Sequence, residues 1–152
     1  MKILLLGQGA REHAIVKALI RTGTAKADLI VAPGNAGIAA DAHCEPDLNP
    51  NDPLEVSKFA LAHSIDLAII GPEAPLIAGV SDALREQGIA VFGPSQEAAQ
   101  LEGSKSFAKE VMSAAGVPTG MARQCDTLAQ VEEAMDDFGA PYVIKADGLA
   151  AG

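Results

Sequence analysis

The sequence predicts an α/β fold built on a parallel, doubly wound sheet, and three observations carry that prediction. Short uncharged apolar runs recur at Ile3 to Leu6, Leu29 to Ala32, Leu67 to Ile70 and Ala90 to Phe92. Each run is closed by glycine or proline: Gly7-Gln8-Gly9, Pro33-Gly34, Gly71-Pro72 and Gly93-Pro94. Between the runs lie segments whose apolar residues fall at helical spacing. Continuous apolar runs mark strands buried on both faces. Strand and helix in alternation at this spacing give parallel strands with helices on both sides of the sheet.

The elements follow in order. After the strand at Ile3, Arg11 to Thr22 places Ile15 and Leu19 one turn apart, with Ala14 and Ala18 beside them and Gly23 as a stop. That pattern is a helix packed on a sheet. The second strand ends at Pro33-Gly34-Asn35. Asp52, Pro53 and Glu55 form a helix start, with a side-chain cap, proline at the first helical position and an acid in the first turn. This helix is expected to run to Ser64. The strand at Leu67 follows, and Ile77, Val80 and Leu84 then share one face of the next helix, ended by Gly88. The fourth strand, at Ala90, leads to Gly93-Pro94 and to Ser95 as a cap.

Beyond residue 103 the pattern changes. Ser104 to Ala115 reads as a helix stopped by Gly116, and Val117-Pro118 as a break. Met121 to Cys125 is a candidate strand. Thr127 and Gln130 have the capping-box spacing, and Leu128, Val131, Met135 and Phe138 fall on one helical face. Tyr142 to Lys145 reads as a final strand. The chain therefore divides into a domain at 1–103 and the beginning of a second at 104–152.

A length of 152 residues suits one domain, or one with the start of another, and an apolar fraction of 49% supports a core. Aromatics are only 3%, so that core must come from Ala, Val, Ile and Leu. The net charge of -9 argues against a nucleic-acid partner, which needs a basic face. Cys44 and Cys125 sit in no CxxC or His-spaced pattern and read as free thiols of a reducing compartment. The opening MKILLLGQG is too short in apolar residues for a signal peptide, and no run is long enough to span a bilayer. A cytoplasmic location, with no membrane partner, is the expectation.

Three loops share one predicted edge. GQGAREHA (Gly7 to Ala14) stands where a doubly wound sheet binds phosphate, and Gly7 and Gly9 permit a tight turn and close ligand approach. The dinucleotide fingerprint, however, needs a third small residue where Glu12 stands, and the second strand lacks the terminal acid that holds a ribose hydroxyl. An NAD-dependent dehydrogenase fails both tests. Taken alone, the glycine pair reads as a structural turn with Arg11 and Glu12 as first-turn surface residues. PGNAG (Pro33 to Gly37) and GPEAPL (Gly71 to Leu76) follow strands of the same sheet and open at the same carboxyl edge. Glu73 is placed to hold sugar hydroxyls, and equally to offset the macrodipole of its helix.

Other segments carry less. LEGSKS (Leu101 to Ser106) is no Walker A loop, because Ser104 separates Gly103 from Lys105 and no strand runs directly into it. His13, His43 and His63 share no metal-ligand spacing, and a helix-start hydrogen bond suits His13. At the end of the sequence, PYVIKADGLAAG couples the strand at Tyr142 to a glycine-rich loop. Lys145 and the run Gly148 to Gly152 supply a cation and backbone N–H groups suited to a polyphosphate. The sequence stops inside this motif, so a fragment of a longer enzyme is expected.

In this order, GQGAREHA, PGNAG, GPEAPL, FGP (Phe92 to Pro94), LEGSK and IKADGLAAG resemble the phosphoribosylamine–glycine ligase (glycinamide ribonucleotide synthetase) family. The departure is Ala10, where that family usually shows another glycine. The resemblance implies an ATP-grasp enzyme of purine biosynthesis, whose incomplete ATP-grasp domain begins after the N-terminal domain. It implies ligation of glycine to 5-phosphoribosylamine at the expense of ATP, through an acyl phosphate and with Mg²⁺. Gly7, Gly9, Arg11, Asn35, Gly37 and Glu73 would line the phosphoribosylamine side, and Lys105, Lys145, Gly148 and Gly152 would approach ATP. The ligands of Mg²⁺ are expected outside this segment, which would then hold no catalytic group and be inactive alone. A monomer is expected. Two other readings stay open: another purine-pathway ATP-grasp enzyme (a carboxylase or a formate-dependent transformylase), and a non-catalytic module that holds a ribose phosphate.

Overall fold

The computed structural model describes residues 1–149. Contacts divide the chain into two compact units, with the boundary between Ala99 and Gln100.

The first unit is a doubly wound sheet. Its strands are β1 (Ile3–Gly7), β2 (Leu29–Pro33), β3 (His43–Cys44), β4 (Leu67–Ile70) and β5 (Ala90–Phe92). They are all parallel, in the order β3-β2-β1-β4-β5. β1 is central, with Leu5 in register with Val31 of β2 and with Ile69 of β4. Alternation along β1 splits the core into two layers. Leu4 and Leu6 face a cluster with Val56, Ala60, Val80 and Leu84. Ile3 and Leu5 face the other cluster, with Val16, Val31 and Ile38. All four β1 side chains are buried, which explains the uncharged run: a sheet covered on both faces has no solvated side for a polar residue.

Helix α1 (Ala10–Arg21) follows β1 and buries Val16. Helix α2 (Pro53–Ala62) begins as its sequence predicts, with the Asp52 carboxylate accepting the N–H groups of Leu54 and Glu55 at 2.9 and 3.0 Å. It ends two residues before the expected Ser64, because His63 and Ser64 form the cap and Ser64 adopts φ +54°. The single helix expected across Ile77, Val80 and Leu84 is instead two. Helix α3 (Glu73–Ile77) and helix α4 (Val80–Glu86) are parted by Gly79, whose φ of +90° no helix accommodates. Strand β3 was not anticipated; its two residues, one of them histidine, leave no apolar run to read.

Helix α5 (Gln96–Gly103) starts with Ser95, whose hydroxyl accepts the Ala98 N–H at 3.2 Å. The second unit then holds helix α6 (Lys105–Ala114), capped by Ser104, and helix α7 (Leu128–Phe138), where Thr127 and Gln130 form the expected capping box. Neither Met121 to Cys125 nor Tyr142 to Lys145 forms a strand. Both are extended in composition but have no ladder partner among the described residues, and Val143 and Ile144 are 79% and 65% exposed. An apolar run becomes a strand only when neighbours supply hydrogen bonds and cover its faces. No helix of the described residues is long and apolar enough to cross a membrane.

Candidate functional site

The strand order reverses direction between β1 and β4, and a crevice at the carboxyl ends of those strands is where open α/β sheets take ligands. Three loops meet at this edge, after β1, β2 and β4, and side chains join them. Asn35 of the second loop donates from Nδ2 to the Gln8 carbonyl at 2.7 Å, while its Oδ1 accepts the Ile38 N–H at 2.9 Å. The Gly34 N–H donates to the Gly7 carbonyl at 3.2 Å. Gly34 needs its φ of +71° here, and a side chain would run into Cys44 Sγ. Asn35 is thus a clip between the first two loops. Gly37 lies against Asn35 and His13, so that a Cβ there would meet their side chains at 3.2 and 3.3 Å.

The first and third loops are joined through Glu12. This residue is not on the surface, as the turn reading of its loop supposed, but 3% exposed. Its carboxylate accepts the Gly9 N–H at 2.7 Å and Arg11 Nε at 2.8 Å. It packs against three glycines: a Cβ on Gly7, Gly9 or Gly71 would collide with the Glu12 side chain in each case. Glycine at these positions therefore makes room for a carboxylate from the same chain. Burial pushes the Glu12 carboxyl up, but the hydrogen bonds from Arg11 and Gly9 and the Arg11 charge outweigh it and hold the group below its ordinary 4.5. Arg11 extends the chain of contacts: its Nη1 lies 3.4 Å from Glu73 Oε1 at the first position of α3. Arg11 is raised above its usual value chiefly by the Glu12 hydrogen bond.

Of the residues expected to line a sugar-phosphate site, Gly7, Gly9, Arg11, Asn35, Gly37 and Glu73 all stand on these three loops. The His13 N–H donates to the Gly9 carbonyl at 3.1 Å, but its side chain turns to another partner, with Nε2 3.0 Å from Asp41 Oδ2. Asp41 also accepts from Lys17 at 2.6 Å and Lys26 at 3.3 Å. The Lys17, His13 and Lys26 hydrogen bonds hold its carboxyl far below the usual range. This cluster ties α1 to the end of the helical turn Ile38–Ala40 that follows the PGNAG loop.

Within the second unit, the expected ATP-side residues Lys105 and Gly148 are in contact, with Lys105 Nζ donating to the Gly148 carbonyl at 2.8 Å. Lys145 is exposed. Gly152 lies outside the described residues. Asp147, which the sequence did not single out, binds the start of α6 through Ser104 and the Lys105 N–H. Its partners lie more than forty positions earlier, so no local pattern marks it, whereas Glu12 could have been found as an acid at the third position of a helix. Among the described residues no three His, Cys, Asp or Glu side chains group to hold a metal ion.

Known proteins give the site its context. The family described as phosphoribosylglycinamide synthetase, N domain, matches residues 1–102, and its ATP-grasp (A) domain matches residues 103–152. A phosphoribosylamine–glycine ligase of Leifsonia xyli is 60% identical over the whole of this chain and 36% of its own length. One from Streptomyces coelicolor is 53% identical with the same coverage. The chain thus spans about a third of the curated relatives it matches. In fold it is similar to the crystal structure of phosphoribosylglycinamide synthetase from Anaerococcus prevotii, with a TM-score of 0.65 at 18% identity over 92% of this chain and 33% of that one. Matched by both family domains in sequence order along its whole length, the chain belongs to the phosphoribosylglycinamide synthetase family.

Proposed function

We propose that the chain is the sugar-phosphate-binding domain (1–103) and the first part of the ATP-grasp domain (104–152) of a cytoplasmic, monomeric phosphoribosylamine–glycine ligase. In that reaction a glycine carboxylate oxygen takes the γ-phosphoryl group of ATP and releases ADP. The amine of 5-phosphoribosylamine then attacks the acyl carbon, loses a proton and expels phosphate, giving glycinamide ribonucleotide. Catalysis of this kind rests on positioning and on neutralising phosphate charge. ATP would be met by Lys105, Lys145 and the glycine loop from Gly148 to Gly152. Mg²⁺ would be held by carboxylates outside this chain, and the chain alone would have no ligase activity.

The observation that carries the reading is the joining of three family loops at one sheet edge around Arg11. Arg11 stands between a buried carboxylate, Glu12, and a half-exposed one, Glu73, with the long 3.4 Å contact on the exposed side. An arriving phosphate exchanges with Glu73 as a partner of Arg11 through charge-assisted hydrogen bonds. Glu73 is then free to accept from ribose hydroxyls. Titration calorimetry with glycinamide ribonucleotide tests this on the chain itself. Glu73→Gln is expected to weaken binding by about 1–3 kcal/mol, the range for a hydrogen bond to a charged group. Equal affinities for the two proteins reduce Glu73 to an acid at a helix start.

A further inference from the structure

The LEGSKS segment passes from the end of α5 into α6, and what fills the seat at that helix start is part of the same chain. The first N–H groups of a helix have no partner within it, and its dipole favours an anion there. At α6 the anion is Asp147. Its Oδ1 accepts the N–H groups of Lys105 at 2.6 Å and Ser106 at 3.4 Å, and that of its own neighbour Gly148 at 3.1 Å. Its Oδ2 accepts the Ser104 hydroxyl at 3.1 Å. Ser104 Oγ in turn accepts the Phe107 N–H at 3.1 Å, so the cap and the carboxylate share the exposed donors of this turn. Lys105 closes the arrangement from the other side, through its ammonium on the Gly148 carbonyl.

We propose that Asp147 is a positioning residue for the nucleotide loop: it clamps the loop at Gly148 onto the start of α6 before any nucleotide is bound. The proposal rests on the reading of Lys145 and the glycine run as the ATP side. A glycine-rich loop has much conformational freedom to lose, and Gly148 adopts φ +99°, where other residues are strained. A loop already held at Gly148 loses less on binding, which is how preorganisation raises affinity. Lys105 then also tethers the loop through the Gly148 carbonyl, and Lys145 is a second exposed lysine on the same side. Partial desolvation pushes the Asp147 carboxyl up, but hydrogen bonds from Lys105, Ser106 and Ser104 outweigh it and bring it to about 2. A depressed carboxyl keeps its clamp above that value and loses it only as pH falls through it. The charged side chain bonded into the clamp is Lys105.

Amide exchange and pH titration by NMR on the 152-residue chain test the clamp without nucleotide. In Asp147→Ala, the Lys105 and Gly148 amides should exchange about tenfold faster or more, with β1 amides unchanged as the control for folding. In the wild type, the Lys105 amide should titrate near 2 and not near the ordinary 3.8 of a solvated aspartate. Unchanged exchange, or titration at the ordinary value, overturns the clamp. Kinetics of a full-length ligase carrying this sequence test its purpose. Asp147→Ala should raise KM for ATP about tenfold and leave KM for glycine within about twofold, with Asp147→Asn intermediate. Lys145→Ala separates the two ideas. If it raises KM for ATP while Asp147→Ala does not, positioning by Asp147 is overturned. If neither variant raises it, the ATP-side reading has failed and takes the proposal with it.

Discussion

Glu12 is buried against Gly7, Gly9 and Gly71 at the carboxyl ends of β1 and β4, and these surroundings lead to measurable expectations. Gly71 has only Glu12 atoms as its nearest obstacles. Gly71→Ala should therefore destabilise the protein by about 1–3 kcal/mol, the usual cost of overpacking. In a Glu12→Ala background the same change should cost far less, since contacting residues couple in double-mutant cycles. Additive losses in urea unfolding would place the strain elsewhere. The charge of Glu12 is separable from its bulk. Its carboxyl is held below 4.5, so ionised Glu12 stabilises the fold fully above that value and progressively less as pH falls below it. Glu12→Gln should cost about 1–3 kcal/mol near neutral pH and less in acid. A penalty that stays constant down to about pH 3 would show that the charge contributes nothing. The sequence displayed Glu12 as the residue that spoils a dinucleotide fingerprint and as a first-turn surface acid. The positions of Arg11, Glu73 and the glycines at this sheet edge were legible because each follows a predicted strand. Asp147 was not, because its partners at the start of α6 are brought close only by folding, and Glu12 displayed its helix-start position but not its burial against Gly71.

At the scale of elements, four strands could be read from the sequence because a sheet buried on both faces admits no polar residue. Tyr142 to Lys145 has the same composition and failed, since composition does not reveal whether a neighbouring strand exists. The end of α2 failed for a different reason. Its cap has the Schellman pattern, with Ile65 N–H donating to the Ala60 carbonyl at 2.9 Å and Ser64 N–H to the Leu61 carbonyl at 3.1 Å. Ser64 holds the left-handed position that glycine usually fills, so the stop carries no sequence mark. Left-handed backbone costs a side-chain-bearing residue roughly 1–2 kcal/mol, part of which glycine loses again through its freer unfolded chain. Ser64→Gly should thus stabilise the protein by about 0.5–1 kcal/mol in thermal or urea unfolding. Loss of stability would mean that the serine side chain, and not the backbone, holds this turn.

For the molecule as a whole, the distribution of burial separates the two units. Every buried apolar residue among those described lies at or before Ala99, except Ala134. The second unit carries Met121, Leu128, Val143 and Ile144 at 80, 73, 79 and 65% exposure. Apolar burial is the main favourable term of folding, so the cooperative stability of this chain belongs to the first unit. Ala99 of α5 packs in that core, and cutting after Gly103 leaves α5 entire. A protein of residues 1–103 should therefore unfold in one cooperative transition. Its stability should lie within about 1 kcal/mol of the main transition of the 152-residue chain, a shift in Tm of no more than about 4–8 °C for a domain of this size. Glycinamide ribonucleotide, if it binds the three loops, should raise the Tm of both proteins alike, because binding to the native state alone stabilises by mass action. A truncated protein that is unfolded, or that melts far below the longer chain, would show that residues after Gly103 are needed to complete the core of the first unit.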